Sequence, residues 1–168
     1  AIYPSLSISK EEEAQIIDQT SKIARGLGIK GLLNIQFVIP GKGAFVPQSG
    51  HQYASSSTST VHVIEANPRS SRTVPFISKA TGVPLAEIAI NIMLGKSIKE
   101  QGYPDALIRN NGLIAVKAPV FSMSKLTGVD TQLGPEMKST GEVIGVDSAF
   151  RPALIKALIA AGLNLPSS

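Results

Sequence analysis

The feature that most constrains the fold is a short apolar strand that ends in polar and charged residues, within the sequence VHVIEANPRSSR from Val61 to Arg72. Side chains alternate between the two faces of a strand, so Glu65 and Asn67 are predicted to share one face and His62 to lie on the other. Pro68 then ends the strand, because proline cannot donate a ladder hydrogen bond. The sequence therefore predicts a carboxylate and an amide side by side at a strand end.

These side chains are suited to a divalent cation and to phosphate groups. Mg²⁺ and Mn²⁺ prefer oxygen ligands, and Glu65 and Asn67 are spaced so that both can reach one cation. Arg69 and Arg72 follow, and their guanidinium groups match the geometry of phosphate oxygens. The spacing alone leaves an alternative open, in which Glu65 is an ordinary strand carboxylate paired with either arginine at the surface.

A second strand is predicted from Leu32 to Ile39, with one apolar face and one mixed face. Asn34 and Gln36 lie on the mixed face, where Leu32 and Val38 accompany them. An unsatisfied buried amide costs about 1–3 kcal/mol, so these two amides need partners. A metal or nucleotide site beside this face would supply them, and hydrogen bonds to neighbouring loops are the alternative.

Two long runs resemble the large subunit of carbamoyl-phosphate synthases, namely IEANPRSSRTVPFISKATGVPLAEIAINIMLGKS and AVKAPVFSMSKLTGVDTQLGPEMKSTGEVIG. The resemblance covers nearly the whole chain, from the first helix to about Gly162, with one insertion. Large subunits of this family contain two ATP-grasp halves, and NPRSSRTVPF with GPEMKSTGEV is similar to the second half, which phosphorylates carbamate. Biotin carboxylases share a Glu-x-Asn-x-Arg core but do not usually continue as TVPFISKATG.

The resemblance implies a role for each of five residues. Gln36 matches a glutamine that helps to bind metal and nucleotide, and Glu65 matches a glutamate that bridges metal ions between the ATP phosphates. Asn67 matches the third metal ligand. Arg72 resembles an arginine that contacts the transferring phosphoryl group or the carbamate, with Arg69 beside it. The implied cofactors are ATP and Mg²⁺ or Mn²⁺.

The fold implied by the resemblance is α+β, the C-terminal lobe of an ATP-grasp domain, with a mostly antiparallel sheet and flanking helices. Residues 1–168 would form one partial domain, because the glycine-rich phosphate loop and nucleotide-binding lobe of the family are not found in this sequence. The implied partners are the remainder of the large subunit, comprising its nucleotide lobe, first ATP-grasp half and regulatory domain, and the glutaminase small subunit. The chain is expected to be a piece of a longer polypeptide.

The predicted activity is MgATP-dependent phosphorylation of carbamate to carbamoyl phosphate, for pyrimidine and arginine synthesis, with the isolated piece inactive. Two alternatives are a lobe of another ATP-grasp ligase or carboxylase, and a non-catalytic nucleotide-binding module. The long specific runs favour the synthase over the first alternative. A nucleotide lobe encoded upstream of this chain would argue against the non-catalytic module.

Composition excludes several other classes of protein. Of the 168 residues, 43% are hydrophobic and 17% charged, which is enough apolar content for a core. The net charge is +4, but the basic residues are scattered along the sequence rather than clustered, which disfavours nucleic-acid binding. The absence of cysteine excludes disulfides and fits a cytoplasmic protein. No apolar run reaches the roughly 20 residues that would span a membrane.

An insertion at about 41–60 separates the two strands, where the family has a short turn. Glycine, serine and threonine dominate it, so we expect a flexible, exposed segment. Its histidine, His51, is expected to be structural, as is His62.

Other elements follow from local signals. Ser9 and Glu12 predict a capping box that starts a helix ending at Gly26 or Gly28. Later helices are predicted to open at Pro75, Pro84 and Pro152, the second with a buried stripe that includes Met93. Strands are predicted over Ile114–Met123, with a bulge or an edge at Pro119, and over Val143–Val146.

Overall fold

The computed structural model describes residues 1–40, 59–108, 112–121, 132 and 138–163. Within these ranges the chain forms two compact units. Residues 7–74 and 84–107 form one unit, called here the strand-pair unit, and residues 1–6, 75–83 and 108–168 form the other, called the three-strand unit. All but the last two residues of the predicted insertion, His51 included, lie outside the described ranges.

Helix α1, Lys10–Gly26, opens the strand-pair unit with the predicted capping box. The Glu12 N–H donates to Ser9 Oγ (3.2 Å), and the Ser9 N–H donates to the Glu12 carboxylate (2.8 Å). These two bonds satisfy backbone groups that a helix start leaves unpaired. Leu27 is the C-cap, and Gly28 follows with a φ of 60°, so the prediction of the helix end is confirmed within one residue.

Strands β2, Asn34–Val38, and β3, His62–Asn67, pair in antiparallel fashion. Gln36 lies opposite Glu65, and Val63 lies opposite Phe37, so Ile64 is an extra residue in β3. This bulge resets the alternation of side chains. His62 pairs with Val38, which shares a face of β2 with Gln36. The prediction that His62 faces away from Glu65 is therefore wrong, because period-two counting cannot anticipate a bulge.

Helix α3, Leu85–Met93, also belongs to the strand-pair unit and is followed by a short 3-10 helix, Lys99–Gln101. Pro84 is the N-cap, so the helix begins one position after Pro84, the predicted first helical residue. Ala89 is buried as predicted, whereas Met93 is 63% exposed and lies outside the buried stripe. The prediction that Met93 belongs to the buried stripe is therefore wrong, and Met93 lies at the last position of the helix.

The three-strand unit contains an antiparallel sheet with the order β1, β4, β5. The strands are Ile2–Tyr3, Ile114–Val120 and Gly141–Asp147. Pro119 pairs with Glu142 in a continuous register, so no bulge occurs there. Among the described strands, β1 reaches only Ala115 and Val116, so Pro119 has a strand on one side only, which is where proline is tolerated.

Helix α4, Phe150–Ala160, packs on this sheet through its alanines. It begins two residues before Pro152, which lies in the first turn, where a missing N–H costs little. Ala153 and Ala157 are fully buried and form a core with Val116 and Ala118. A side chain on Gly145 of β5 would overlap the Ala153 carbonyl and the Ala157 amide, so glycine allows the helix to approach this closely.

Helix α2, Thr73–Thr81, begins two residues before the predicted Pro75. Its Phe76 is buried in the three-strand unit, with Lys117 Nζ 5.8 Å from the ring centroid. Lys117 also forms an ion pair with Glu142 (3.0 Å). The prediction of an α+β fold with antiparallel pairing and helices is confirmed, although the described strands form two separate sheets.

In the described part of the chain, no single helix combines the length and the apolar character that crossing a membrane requires. Helices α2 and α3 meet that requirement only when they are joined across the break between them.

Candidate functional site

The end of the β2–β3 pair opens into a cleft of about 520 Å³ in the strand-pair unit. All five residues assigned to the site from the sequence line this cleft. The lining residues come from β2, from the end of β3 and from the segment that leads into α2: Asn34, Ile35, Gln36, Glu65, Asn67, Arg69, Ser71, Arg72 and Thr73.

The strand register brings the predicted cation ligands together. Glu65 lies directly opposite Gln36, and Asn67 lies opposite Asn34, so these four side chains share one face. Asn67 Nδ2 donates a hydrogen bond to Glu65 Oε1 (2.9 Å). The prediction that Gln36 and Glu65 lie on adjacent strands and on the same face is confirmed. Gln36 is exposed, however, so its amide does not need the internal partners that the apolar sequence around it indicated.

The segment after β3 holds the two arginines beside this face. The Arg69 N–H donates to the Asn67 carbonyl (2.8 Å), and Arg69 Nη1 donates to the Ser70 carbonyl (3.1 Å). Arg69 and Arg72 are both exposed to solvent at the cleft. Their guanidinium groups are therefore accessible to a ligand.

Ser71 is a structural residue of the site that the sequence analysis missed. Its Oγ accepts hydrogen bonds from Asn34 Nδ2 (3.2 Å) and from the Thr73 N–H (3.2 Å), so it ties the arginine segment to β2 and to the start of α2. Asn34 therefore finds its partner in a neighbouring loop, as the alternative interpretation of that amide predicted. A serine just before a helix start is a sequence signal for such a bond.

The electrostatics of the cleft favour an anion with a bound cation. The two guanidinium groups outnumber the single Glu65 carboxylate among the lining residues. This arrangement suits phosphate groups better than a cationic ligand.

The donor atoms fit a hard cation that keeps other oxygen ligands. Within the described ranges, no group of three or more His, Cys, Asp or Glu residues could hold a metal ion. Glu65 supplies one carboxylate here, and Gln36 and Asn67 can add amide oxygens. Mg²⁺ is commonly bound by one or two carboxylates, with waters and substrate phosphates completing its octahedron. The cleft is therefore compatible with Mg²⁺ shared with a phosphate ligand, and it lacks the ligands of a protein-only metal cage.

Comparisons with a family model and with individual proteins point to the same family. Residues 1–101 match the family model described as "Carbamoyl-phosphate synthase L chain, ATP binding domain". The carbamoyl phosphate synthase large chain of Thermomicrobium roseum is 49% identical over 98% of this chain, and that of Thermoanaerobacter sp. is 46% identical over 99%. That of Caldanaerobacter subterraneus is also 46% identical over 99%. The chain spans about 14% of the length of each of these relatives.

Proposed function

The chain belongs to the carbamoyl-phosphate synthase large-chain family, and from this premise we propose that it is part of an ATP-dependent ligase in which this cleft serves the phosphorylation of carbamate. The product would be carbamoyl phosphate, with ATP as the phosphoryl donor and Mg²⁺ or Mn²⁺ as the cation. The observation that supports the proposal is the register that sets Glu65 opposite Gln36, beside Asn67 and the two arginines.

Each residue of the cleft has a task in this proposal. Glu65 provides the charged ligand for the cation, and Gln36 and Asn67 provide neutral oxygens. A bound Mg²⁺ would neutralise charge on the nucleotide phosphates. Arg72 and Arg69 hold the oxygens of the phosphoryl group or of the carbamate. Phosphoryl transfer depends mainly on such positioning and charge compensation, so these groups suffice for the part of the site that lies on this chain.

The wider assignment follows from the same family membership. We assign the chain to the C-terminal lobe of the second ATP-grasp half, because NPRSSRTVPF and GPEMKSTGEV are similar to that half. The remainder of the large subunit would supply the nucleotide lobe, the first ATP-grasp half and the regulatory domain, and a glutaminase small subunit would supply ammonia. The complete enzyme would act in the cytoplasm in pyrimidine and arginine synthesis, and residues 1–168 alone would be inactive.

Glu65→Ala in the full-length large subunit tests the proposal. It should abolish ATP synthesis from ADP and carbamoyl phosphate, the reverse of carbamate phosphorylation, because loss of such a group costs about 3 kcal/mol or more of transition-state stabilisation. The bicarbonate-dependent ATPase of the first half should be largely unchanged. Steady-state rates of the two partial reactions measure both effects.

Glu87→Ala is the matched control, because Glu87 is an exposed carboxylate on α3 that does not line the cleft. Both partial reactions should retain their wild-type rates in this variant. If Glu65→Ala retained ATP synthesis, the cleft would not serve carbamate phosphorylation. If the variant lost only the bicarbonate-dependent ATPase, the chain would belong to the first half.

A further inference from the structure

Two glutamines of α1 contact the start of β3, away from the cleft. Gln15 Oε1 accepts a hydrogen bond from the Val61 N–H (3.0 Å), and Gln19 Nε2 donates one to the Val61 carbonyl (2.9 Å). Gln15 Nε2 also donates to the Ser59 carbonyl (3.1 Å). Four residues apart, the two amides lie on the same side of the helix. Together they pair with both backbone groups of Val61, as a neighbouring strand would.

The connection between β2 and β3 is too long to set the pairing of the strands by a tight turn. Hairpin register is normally set by a tight turn of roughly two to five residues. Here the connection runs from Ile39 to Val61, which is far longer. The length of the connection therefore does not fix the register in the way that a tight turn does.

Burial of side chains specifies the register of β3 only weakly. Val63 and Ile64 are 39% and 62% exposed, and no residue of β3 itself is fully buried. Within β3 itself, sliding the strand by one residue would therefore cost little apolar burial, whereas it would move every side chain to the opposite face. Val61, just before β3, is only 2% exposed, and it is the residue that the glutamines hold.

We propose that Gln15 and Gln19 are positioning residues that set the register of β3 on β2 and so keep Glu65 opposite Gln36. They act through the backbone of Val61 and touch neither substrate nor cation. The pairs of Val38 with His62 and of Phe37 with Val63 follow directly on Val61, so holding Val61 supports the register in which the bulge at Ile64 and the pair of Gln36 with Glu65 occur. This inference rests on the proposed function of the cleft, because it assigns the amides a role in orienting Glu65.

The experiment combines Gln15→Ala with Gln19→Ala in the full-length large subunit. The double variant should raise the Mg²⁺ concentration that gives half-maximal ATP synthesis by on the order of tenfold or more, and it should lower kcat, because Glu65 spends less time on the cleft face. Lys22→Ala is the control on the same helix, since Lys22 is exposed and its ammonium group pairs with Asp18 (2.7 Å). It should leave the Mg²⁺ dependence unchanged.

A rescue variant separates register from general stability. Replacing residues 40–60 with Asn-Gly leaves a four-residue loop, Ile39-Asn-Gly-Val61, closed by the native pair of Val38 with His62. In this background the turn sets the register, so the double glutamine substitution should no longer change the Mg²⁺ dependence. If the substitution remained as harmful as in the native chain, the glutamines would not act through register and the inference would fail.

A second test, which does not need the short turn, replaces each glutamine in turn with glutamate, so that the two variants carry the same added charge. Gln15→Glu keeps an acceptor for the Val61 N–H and loses only its donor to the Ser59 carbonyl, two residues before Val61, whereas Gln19→Glu replaces the donor to the Val61 carbonyl itself with a repelling oxygen. The second should shift the Mg²⁺ dependence more than the first. Equal shifts, the reverse order, or a wild-type Mg²⁺ dependence in the double alanine variant would overturn the inference. Loss of ATP synthesis in Glu65→Ala would still support the proposed function in that case, so the two failures are distinguishable.

Discussion

The side chains of the cleft are held in place by different kinds of hydrogen bond. Glu65 and Asn67 are joined by a hydrogen bond on the strand, and Arg69 is held by the backbone of its own segment. Arg72 ends that segment and immediately precedes the helix α2. A planar guanidinium can form two parallel bonds to a phosphate, which a lysine cannot reproduce. The shape of the Arg72 side chain should therefore matter as well as its charge.

Arg72→Lys should lower the rate of ATP synthesis from carbamoyl phosphate by on the order of 10-fold to 100-fold, because the charge remains but the two-pronged contact is lost. Steady-state kinetics in the full-length subunit measures the effect. Arg25→Lys is the matched control, since Arg25 lies in the last turn of α1 and does not line the cleft. Equal rates for Arg72→Lys and wild type would show that Arg72 acts only as a point charge.

At the scale of elements, local signals in the sequence predicted more than spacing did. The Ser9–Glu12 capping box and the strands on either side of the insertion follow from short-range chemistry, and the structure contains them. The pairing of Glu65 with Gln36 was also predictable, because both lie on polar positions of apolar strands. The bulge at Ile64 was not, since an extra residue depends on how two distant strands meet.

The three-strand unit also contains a contact that the sequence did not predict. The sequence predicted α4 and its inward Ala157, but not the close contact between Gly145 and the helix backbone. A glycine within a strand allows another backbone to approach closely, but the sequence does not identify which segment approaches. The partner could be identified only once the antiparallel sheet had set β5 beneath α4.

Gly145→Ala should reduce the free energy of unfolding by about 1–3 kcal/mol, because the new methyl group overlaps the backbone of α4 and forces the helix away from the sheet. Urea unfolding of the chain monitored by circular dichroism measures it. Gly141→Ala in the same strand is the control, since its nearest neighbour would be Val120 Cβ at an ordinary 3.9 Å. If both substitutions had equal effects, the close approach would not be responsible.

At the scale of the whole molecule, each unit contains a carboxyl group whose pKa lies below its ordinary value. In the three-strand unit, the hydrogen bond from Lys156 (2.7 Å) lowers the pKa of Asp147 from 3.8. In the strand-pair unit, hydrogen bonds from the Ser97 backbone and side chain lower the pKa of Glu100 from 4.5. Both units should therefore respond to acid in the same direction.

Acid should destabilise the chain as the pH falls below the ordinary pKa values of these two groups. Above 4.5 both carboxyl groups are ionised in the folded and unfolded states, and their stabilisation is complete. Below those values the unfolded state binds protons that the folded state does not, so stability falls until the pH has passed the lowered folded pKa values. Melting temperatures from pH 7 to pH 3 measure this.

Variants at Asp147 and Lys156 separate the contribution of one unit. Asp147→Asn and Lys156→Met should each flatten the acid decrease in melting temperature, and the double variant should be no flatter than Asp147→Asn alone, because removing the carboxylate already removes its hydrogen bond from Lys156. Fully additive changes would mean that Lys156 is not what lowers the pKa of Asp147.

The hydrogen bonds from α1 to the backbone of Val61 have a consequence for how this part of the chain can vary in length. A strand pair anchored from the side by a helix does not depend on the number of residues that join its two strands. On the proposed role of Gln15 and Gln19, a change in the number of residues between Ile39 and Ser59 would leave Glu65 opposite Gln36. The β2–β3 connection would then tolerate insertions and deletions better than a hairpin whose turn sets the register.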